Sequence, residues 1–427
     1  MKKEIISDFK EVLYSEILPN GLKIYLLPKV EYSSSFAVFA TRFGSLNSSQ
    51  VLQNIQIPRG IAHYLEHRLF DNPQGEVFDM FSTLGSEVNA FTTYDKTVYY
   101  ISTTKDICTN INLLLDFVQT CQMTQEAFEN EKDIIVEEMK MRADDPNSRL
   151  YMGILNCMYH KHEVKYEIIG TEESVRNTKL EELELVHKNF YHPSNMVLVI
   201  SGNFDPIEVV KCIKENQESK TFSNMEVVSK IDYIEPKKVK RKRKVIQMPI
   251  SIKKVAIGYK LPIIDNIEDT YQKNQKLIAY SIYFSMLFGK TSNFYQRLID
   301  EKVVVANTFG FYHDYNDGYN HVIFDADVFN ERKFISIVKE AIEDDKVCRN
   351  QNLFIQKKNA YLGNSILGIE SPSDLAMEYM DNVIEGMNLF ADIEIIKQMK
   401  IDSIIEVSNE IKNSDYSVFT IAVDKKS

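Results

Sequence analysis

Hydrophobic positions change spacing several times in the first two hundred residues, and each change predicts an element. Residues 22–28 follow an Asn20-Gly21 turn, residues 35–41 form a second apolar run, and both predict strands of one sheet. From 60 to 69 the spacing becomes helical, and 77–84 predicts a second helix stopped by Gly85. Residues 88–91 and 97–102 return to strand-like patterns. Residues 111–118 are helical in spacing, and Thr124 can cap a long helix running to about 142, ended by Asp144-Asp145-Pro146. The run 196–202 predicts a short buried strand ahead of turn residues at 203–206.

Strands and helices without strict alternation predict an α+β fold, with helices packed on one face of a largely antiparallel sheet. The chain then does this again. Between about 214 and 244 the apolar density falls and a cationic run occupies 237–244, which reads as a connection between halves. The expected division is 1–225, a linker at 226–245, and 246–427. A faint internal echo lays residues 62–70 over 280–288. It puts Ser281, Phe284 and Ser285 where the first copy has His63, Glu66 and His67, so the second half is expected to keep the scaffold without a metal site.

Length agrees, since 427 residues are long for one core and comfortable for two of roughly 200 each. With 44% apolar and 26% charged residues the composition is that of a globular protein. A net charge of -11 repels polyanions and argues against non-specific nucleic-acid binding. It leaves the run at 237–244 as a solvated connection, the alternative being a patch for an anionic partner. The five cysteines are scattered and unpaired in spacing, charges interrupt the amino terminus before a signal-peptide core develops, and no stretch nears the roughly 20 apolar residues of a membrane span. A cytoplasmic location is expected.

The chemistry concentrates in His63-Tyr64-Leu65-Glu66-His67. On a helix, residues four apart project from one face about a turn apart, so both imidazoles can chelate one Zn²⁺. Glu66 is placed to reach a water on the metal, which suits a general base. The motif is the reverse of His-Glu-x-x-His and matches the inverted zincin pattern. The bland reading is a pair of packed or surface histidines. A peptidase site needs a third protein ligand and an open position for water. Glu131 and Glu138, seven residues apart on the acidic helix, share one face to within roughly 20°, so one can bind the metal while the other supports a ligand. Spacing alone does not choose between them. Glu129 and Glu137 point elsewhere.

These residues resemble the M16 family of metallopeptidases, which includes pitrilysin, insulin-degrading enzyme and the mitochondrial processing peptidase; the match is to its short, two-domain bacterial branch. It rests on Asn20-Gly21-Leu22, Gly60 to His67, Asn89-Ala90-Phe91-Thr92 with Thr97 and Tyr99, Glu131 to Glu138, and Phe190 to Met196. The resemblance implies Glu138 as third zinc ligand and Glu131 as its supporting carboxylate. It also implies two similar halves that clasp a chamber, and a strand at Asn89 to Thr92 that captures an extended peptide by β-augmentation, with Asn89 near the scissile bond. The implied reaction is direct hydrolysis of peptides, or of leader or unfolded segments.

One part of the pattern is missing. Family enzymes carry an Arg and a Tyr seven residues apart in the second half, which hold the substrate and the oxyanion. Alignment places Ile299 and Ala306 there. Losing such a donor costs about 10² to 10³ in rate. The expectation is that this chain is the zinc-bearing subunit of a heterodimer whose homologous partner supplies the pair. The candidate substitutes within the chain are Arg297 and one of Tyr312, Tyr315 and Tyr319. The alternative is a non-catalytic scaffold or substrate-binding subunit.

Overall fold

Seven strands hydrogen-bond into the sheet that the first half's pattern calls for. In the computed structural model, which describes residues 1–6, 9, 11–72, 75–231 and 234–424, these are β1 (Lys2–Ile6), β2 (Glu11–Ile17), β3 (Lys23–Pro28), β4 (Ser35–Thr41), β5 (Ser86–Thr92), β6 (Thr97–Thr103) and β7 (Met196–Gly202). Their order across the sheet is β1-β2-β3-β7-β4-β6-β5, and every neighbouring pair is antiparallel except β3 with β7. A second sheet contains β8 (Arg243–Met248), β9 (Lys253–Lys260), β10 (Gly310–Asn316), β11 (Tyr319–Val328) and β12 (Asp415–Val423), in the order β8-β12-β9-β11-β10. Here too a single parallel pair, β8 with β12, joins an otherwise antiparallel set.

The second sheet therefore repeats β3 to β7 strand for strand, in chain order, spatial order and direction. The helices repeat as well. In the first unit α1 (Ile61–Phe70) lies between β4 and β5 in sequence; in the second, α7 (Thr270–Phe288) lies between β9 and β10. Before α7 come α2 (Val77–Thr83), α3 (Ile107–Gln119), α4 (Gln125–Asp144), α5 (Pro146–Met158) and α6 (Leu180–Phe190), and after it α8 (Asn293–Asp300) and α9 (Pro372–Glu385). The internal echo at 62–70 and 280–288 thus falls on matching helices. In the second copy Phe284 is buried among Phe311 and Phe324, which is packing chemistry and not ligand chemistry.

Alternation sorts the side chains of the first sheet. Ile24, Leu26, Ala37, Phe39, Val88, Tyr99, Ile101, Leu198 and Ile200 point to one face, where they are buried against α1, α3, α4 and α6. The second unit buries Val255, Ile257, Val322, Phe324 and Val418 with α7 in the same way. The expected helix layer is thus present on each sheet, and one further helix covers each opposite face. In the first unit this is α9, which packs on β4 and β7 and sets Tyr379 5.2 Å from Tyr25. In the second it is α5, which approaches β9 and β12 closely because Gly153 and Gly258 carry no side chain. A Cβ at Gly153 would stand 2.3 Å from the Phe419 ring, and one at Gly258 2.4 Å from Met158 Sδ.

By compactness the chain falls into Met1–Met139 with Glu167–Asp232 and Ile366–Phe390, and Lys140–Tyr166 with Tyr233–Ser365 and Ala391–Ser427. Each sheet thereby takes one helix from the other half of the sequence. Strand β8 begins at Arg243, inside the stretch read as a linker. No helix among the described residues is long and apolar enough to cross a membrane.

Candidate metal centre

Helix α1 starts at a backbone position that favours glycine. Gly60 has φ +87, and a Cβ there would sit 2.3 Å from the Ile169 carbonyl oxygen, so the chain turns into the helix where no other side chain fits. Burial fixes its inner face: Ile61, Ala62, Tyr64, Leu65 and Leu69 join the core, and Arg68 is buried with them. Tyr64 sets the register against α4. Its ring stacks on Phe128 at 5.1 Å and 5°, and its hydroxyl donates to the Phe128 carbonyl. With Phe128 fixed, the carboxylates one and three turns along α4 come opposite the histidines. Thr124 accepts from the Ala127 amide at 3.2 Å, as the capping reading expects.

His63 and His67 stand with ring centroids 4.5 Å apart. Their Nε2 atoms lie 3.7 and 3.5 Å from one oxygen, Glu138 Oε2. Ligand atoms at Zn–N and Zn–O distances of about 2.0–2.1 Å around a tetrahedral ion are roughly 3.4 Å apart, so the observed separations fit zinc with little movement. Among the described residues this is the one group of three histidine, cysteine or acidic side chains close enough to hold a metal. Glu131 does something else. Its Oε1 is 3.0 Å from His67 Nδ1, and its Oε2 is 3.6 Å from Arg68. That hydrogen bond fixes the tautomer with the proton on Nδ1 and leaves Nε2 for a metal. Burial of His67 opposes its protonation, but the bond to Glu131, with Glu66 and Glu138 beyond, outweighs this and raises its pKa above the ordinary histidine value. Glu129 and Glu137 are exposed, and Glu129 pairs with Lys132 at 3.1 Å.

Glu66 does not sit in the ligand set. Its Oε2 accepts a 2.6 Å hydrogen bond from Thr92 Oγ1, which ties the carboxylate to the end of β5. That strand is the last of the sheet order, paired with β6 alone, so its other edge is open among the described strands. Asn89 is exposed, Ala90, Phe91 and Thr92 are half-buried, and the Ala90 amide donates to Asn89 Oδ1 at 2.8 Å. Thr92 thus serves the carboxylate as well as the strand, a role spacing did not suggest. The contributions of Arg68 and Tyr64 were also missed, since nothing in a helical repeat tells a buried arginine from a solvated one.

In the second unit, Ile299 packs against the core and Ala306 is exposed. Arg297 is held at the surface by Glu301 at 3.0 Å and Glu340 at 2.6 Å, and Tyr319 is buried. Tyr312 is exposed, with its hydroxyl engaged by Asp325.

Two similar units and one helix-borne pair of histidines facing a carboxylate define a class of metallopeptidase folds. The chain belongs to the M16 zinc peptidase family. The model for Insulinase (Peptidase family M16) matches residues 53–172, and that for the Peptidase M16 inactive domain matches 177–346. The chain is 30% identical over 410 residues to the uncharacterized zinc protease YmfH of Bacillus subtilis, covering 94% of each. It is 23% identical over 424 residues to the zinc protease PqqE of Helicobacter pylori, covering 93% of this chain and 89% of the other. A crystal structure of a putative M16-like peptidase from Alicyclobacillus acidocaldarius superposes with a TM-score of 0.89 at 29% identity, over 97% of this chain and 99% of that one.

Proposed function

We propose that this chain is a zinc-dependent endopeptidase of the inverted zincin type, with His63, His67 and Glu138 as ligands and Glu66 as general base. The observation that carries this reading is the convergence of His63 Nε2, His67 Nε2 and Glu138 Oε2, with Glu66 next to them but bonded to Thr92. When bound, zinc supplies Lewis-acid polarisation of the scissile carbonyl and acidifies water at the site. Glu66 takes the proton from that water and passes it to the leaving amine, and the Thr92 hydroxyl holds it in place between the two transfers. Glu131 acts through His67, holding its ring and tautomer. The open edge of β5 pairs with an extended peptide, Ala90, Phe91 and Thr92 offering backbone groups and Asn89 releasing the Ala90 amide as it turns to the substrate.

The absence of Arg and Tyr at positions 299 and 306, together with the engagement of Arg297 by two glutamates, supports a heterodimer in which a homologous chain supplies the clamp. Five cysteines free of disulfides suit a reducing, cytoplasmic setting. The competing reading is a non-catalytic scaffold; the inactive-domain match covers 177–346 and leaves the part that carries the histidines to the peptidase model. Cleavage of unfolded peptides by the zinc-loaded chain with its partner separates the two. Glu66→Gln is expected to abolish cleavage while retaining zinc; unchanged cleavage by Glu66→Gln would end the proposal.

A further inference from the structure

Beside the open edge of β5, and lined by none of the metal ligands, the first unit contains a cavity of about 440 Å³. The strand register explains its walls. Glu87 pairs with Ser102 and Ser102 with Phe36, while Asn89 pairs with Tyr100, so these side chains form two adjacent rows on the sheet face opposite the helix layer. Phe36 and Tyr100 have ring centroids 5.4 Å apart. Helix α2 adds Phe78 and Ser82 from the other side of the opening. Phe78 stacks on Phe70 at 4.7 Å yet remains 50% exposed. Glu87 is exposed and is the carboxylate among the lining residues.

We propose that this cavity is a subsite for a lysine or arginine side chain of the peptide substrate, an inference that rests on the endopeptidase reading above. Aromatic walls accept the methylene stem of a long cationic side chain and attract its charge. Glu87 then meets the head group in a charge-assisted hydrogen bond, and the hydroxyls of Ser82 and Ser102 take its remaining donors. A wholly apolar side chain would instead cover Glu87 without giving it a partner, at a desolvation cost. The net charge of -11 draws cationic segments in the same direction. Position along the peptide follows from strand geometry. Glu87 lies two positions before Asn89, which is expected near the scissile bond, and five before Thr92, whose hydroxyl rests on Glu66; a strand advances about 3.4 Å per residue. The favoured lysine or arginine therefore stands about two to five residues from the cleaved bond.

The test is a positional scan of one unfolded peptide, with lysine, norleucine or glutamate moved through successive sites, using the zinc-loaded chain with its partner. Lysine is expected to exceed norleucine about tenfold in kcat/KM at one position about two to five residues from the cut. Glu87→Gln removes that preference, the norleucine peptides being cleaved at least as well as by the parent, and Glu87→Lys turns it toward glutamate. A flat scan, or a lysine preference that survives Glu87→Gln, overturns the subsite while leaving the endopeptidase reading intact. If no peptide is cut, the endopeptidase reading fails. Fluorescence anisotropy of the same lysine and norleucine peptides on the zinc-loaded protein then decides the subsite alone: about tenfold tighter, Glu87-dependent binding supports it, and equal binding overturns it.

Discussion

Glu131 and Glu138 share one face of α4, yet one oxygen of Glu138 faces both histidines while Glu131 is split between His67 and Arg68. The sequence could place them on that face but could not tell them apart, because the choice depends on where Phe128 meets Tyr64. Family resemblance supplied the assignment to Glu138, whose Oε2 lies 3.7 and 3.5 Å from the two Nε2 atoms. The two should fail differently. Glu138→Gln is expected to weaken zinc binding by well over 10²-fold, and Glu131→Gln by about 10- to 100-fold, in competition against a chromophoric chelator. Equal losses would contradict the division of labour. Acid should also unload the site. The pKa of His67 is raised in the metal-free protein, so protons compete with zinc as pH falls through a value above the ordinary histidine range. Glu131→Gln removes the principal carboxylate behind that rise, and the His67 pKa of the metal-free protein, followed by NMR, is expected to fall. A His67 titration unchanged by that substitution would show that another group sets it.

At the scale of elements, the strands at 35–41 and 196–202 and the helices around 61–70 and 125–144 were legible because their apolar spacing coincides with their burial. The open edge of β5 was legible only through the family resemblance, since the spacing of Asn89 to Thr92 reads alike at an edge or in a sheet interior, and the order of strands distinguishes them. The exchange of α5 and α9 between halves was not legible, because each is an ordinary amphipathic pattern that does not name the sheet it covers. The seating of α1 is testable at its two anchors. Gly60→Ala forces a side chain into positive φ against the Ile169 carbonyl and should cost about 1–3 kcal/mol or more. Tyr64→Phe keeps the stack but removes a buried hydrogen bond, at about 1 kcal/mol. Denaturant unfolding checks both, and a Gly60→Ala variant as stable as the parent would show that the helix start is not conformationally restricted.

Across the whole molecule, the repeated strand order states the duplication far more firmly than the echo of residues 62–70 in 280–288, where side chains have diverged and pairing has not. Divergence fell unevenly. One copy kept two histidines and a glutamate at ligand distance; the other holds a phenylalanine cluster on the matching helix. A chain so divided is expected to bind zinc alone yet cleave peptides at least 10²-fold more slowly than with a partner that supplies the missing electrostatic donors. Steady-state assays with and without a homologous partner check this, and full activity from the single chain would remove the need for one. The most direct test of the account is the metal content of the purified chain by mass spectrometry, beside His67→Ala and Glu138→Ala. One zinc per wild-type chain, lost in both variants, is the predicted result; a wild type that neither carries nor takes up zinc would contradict it.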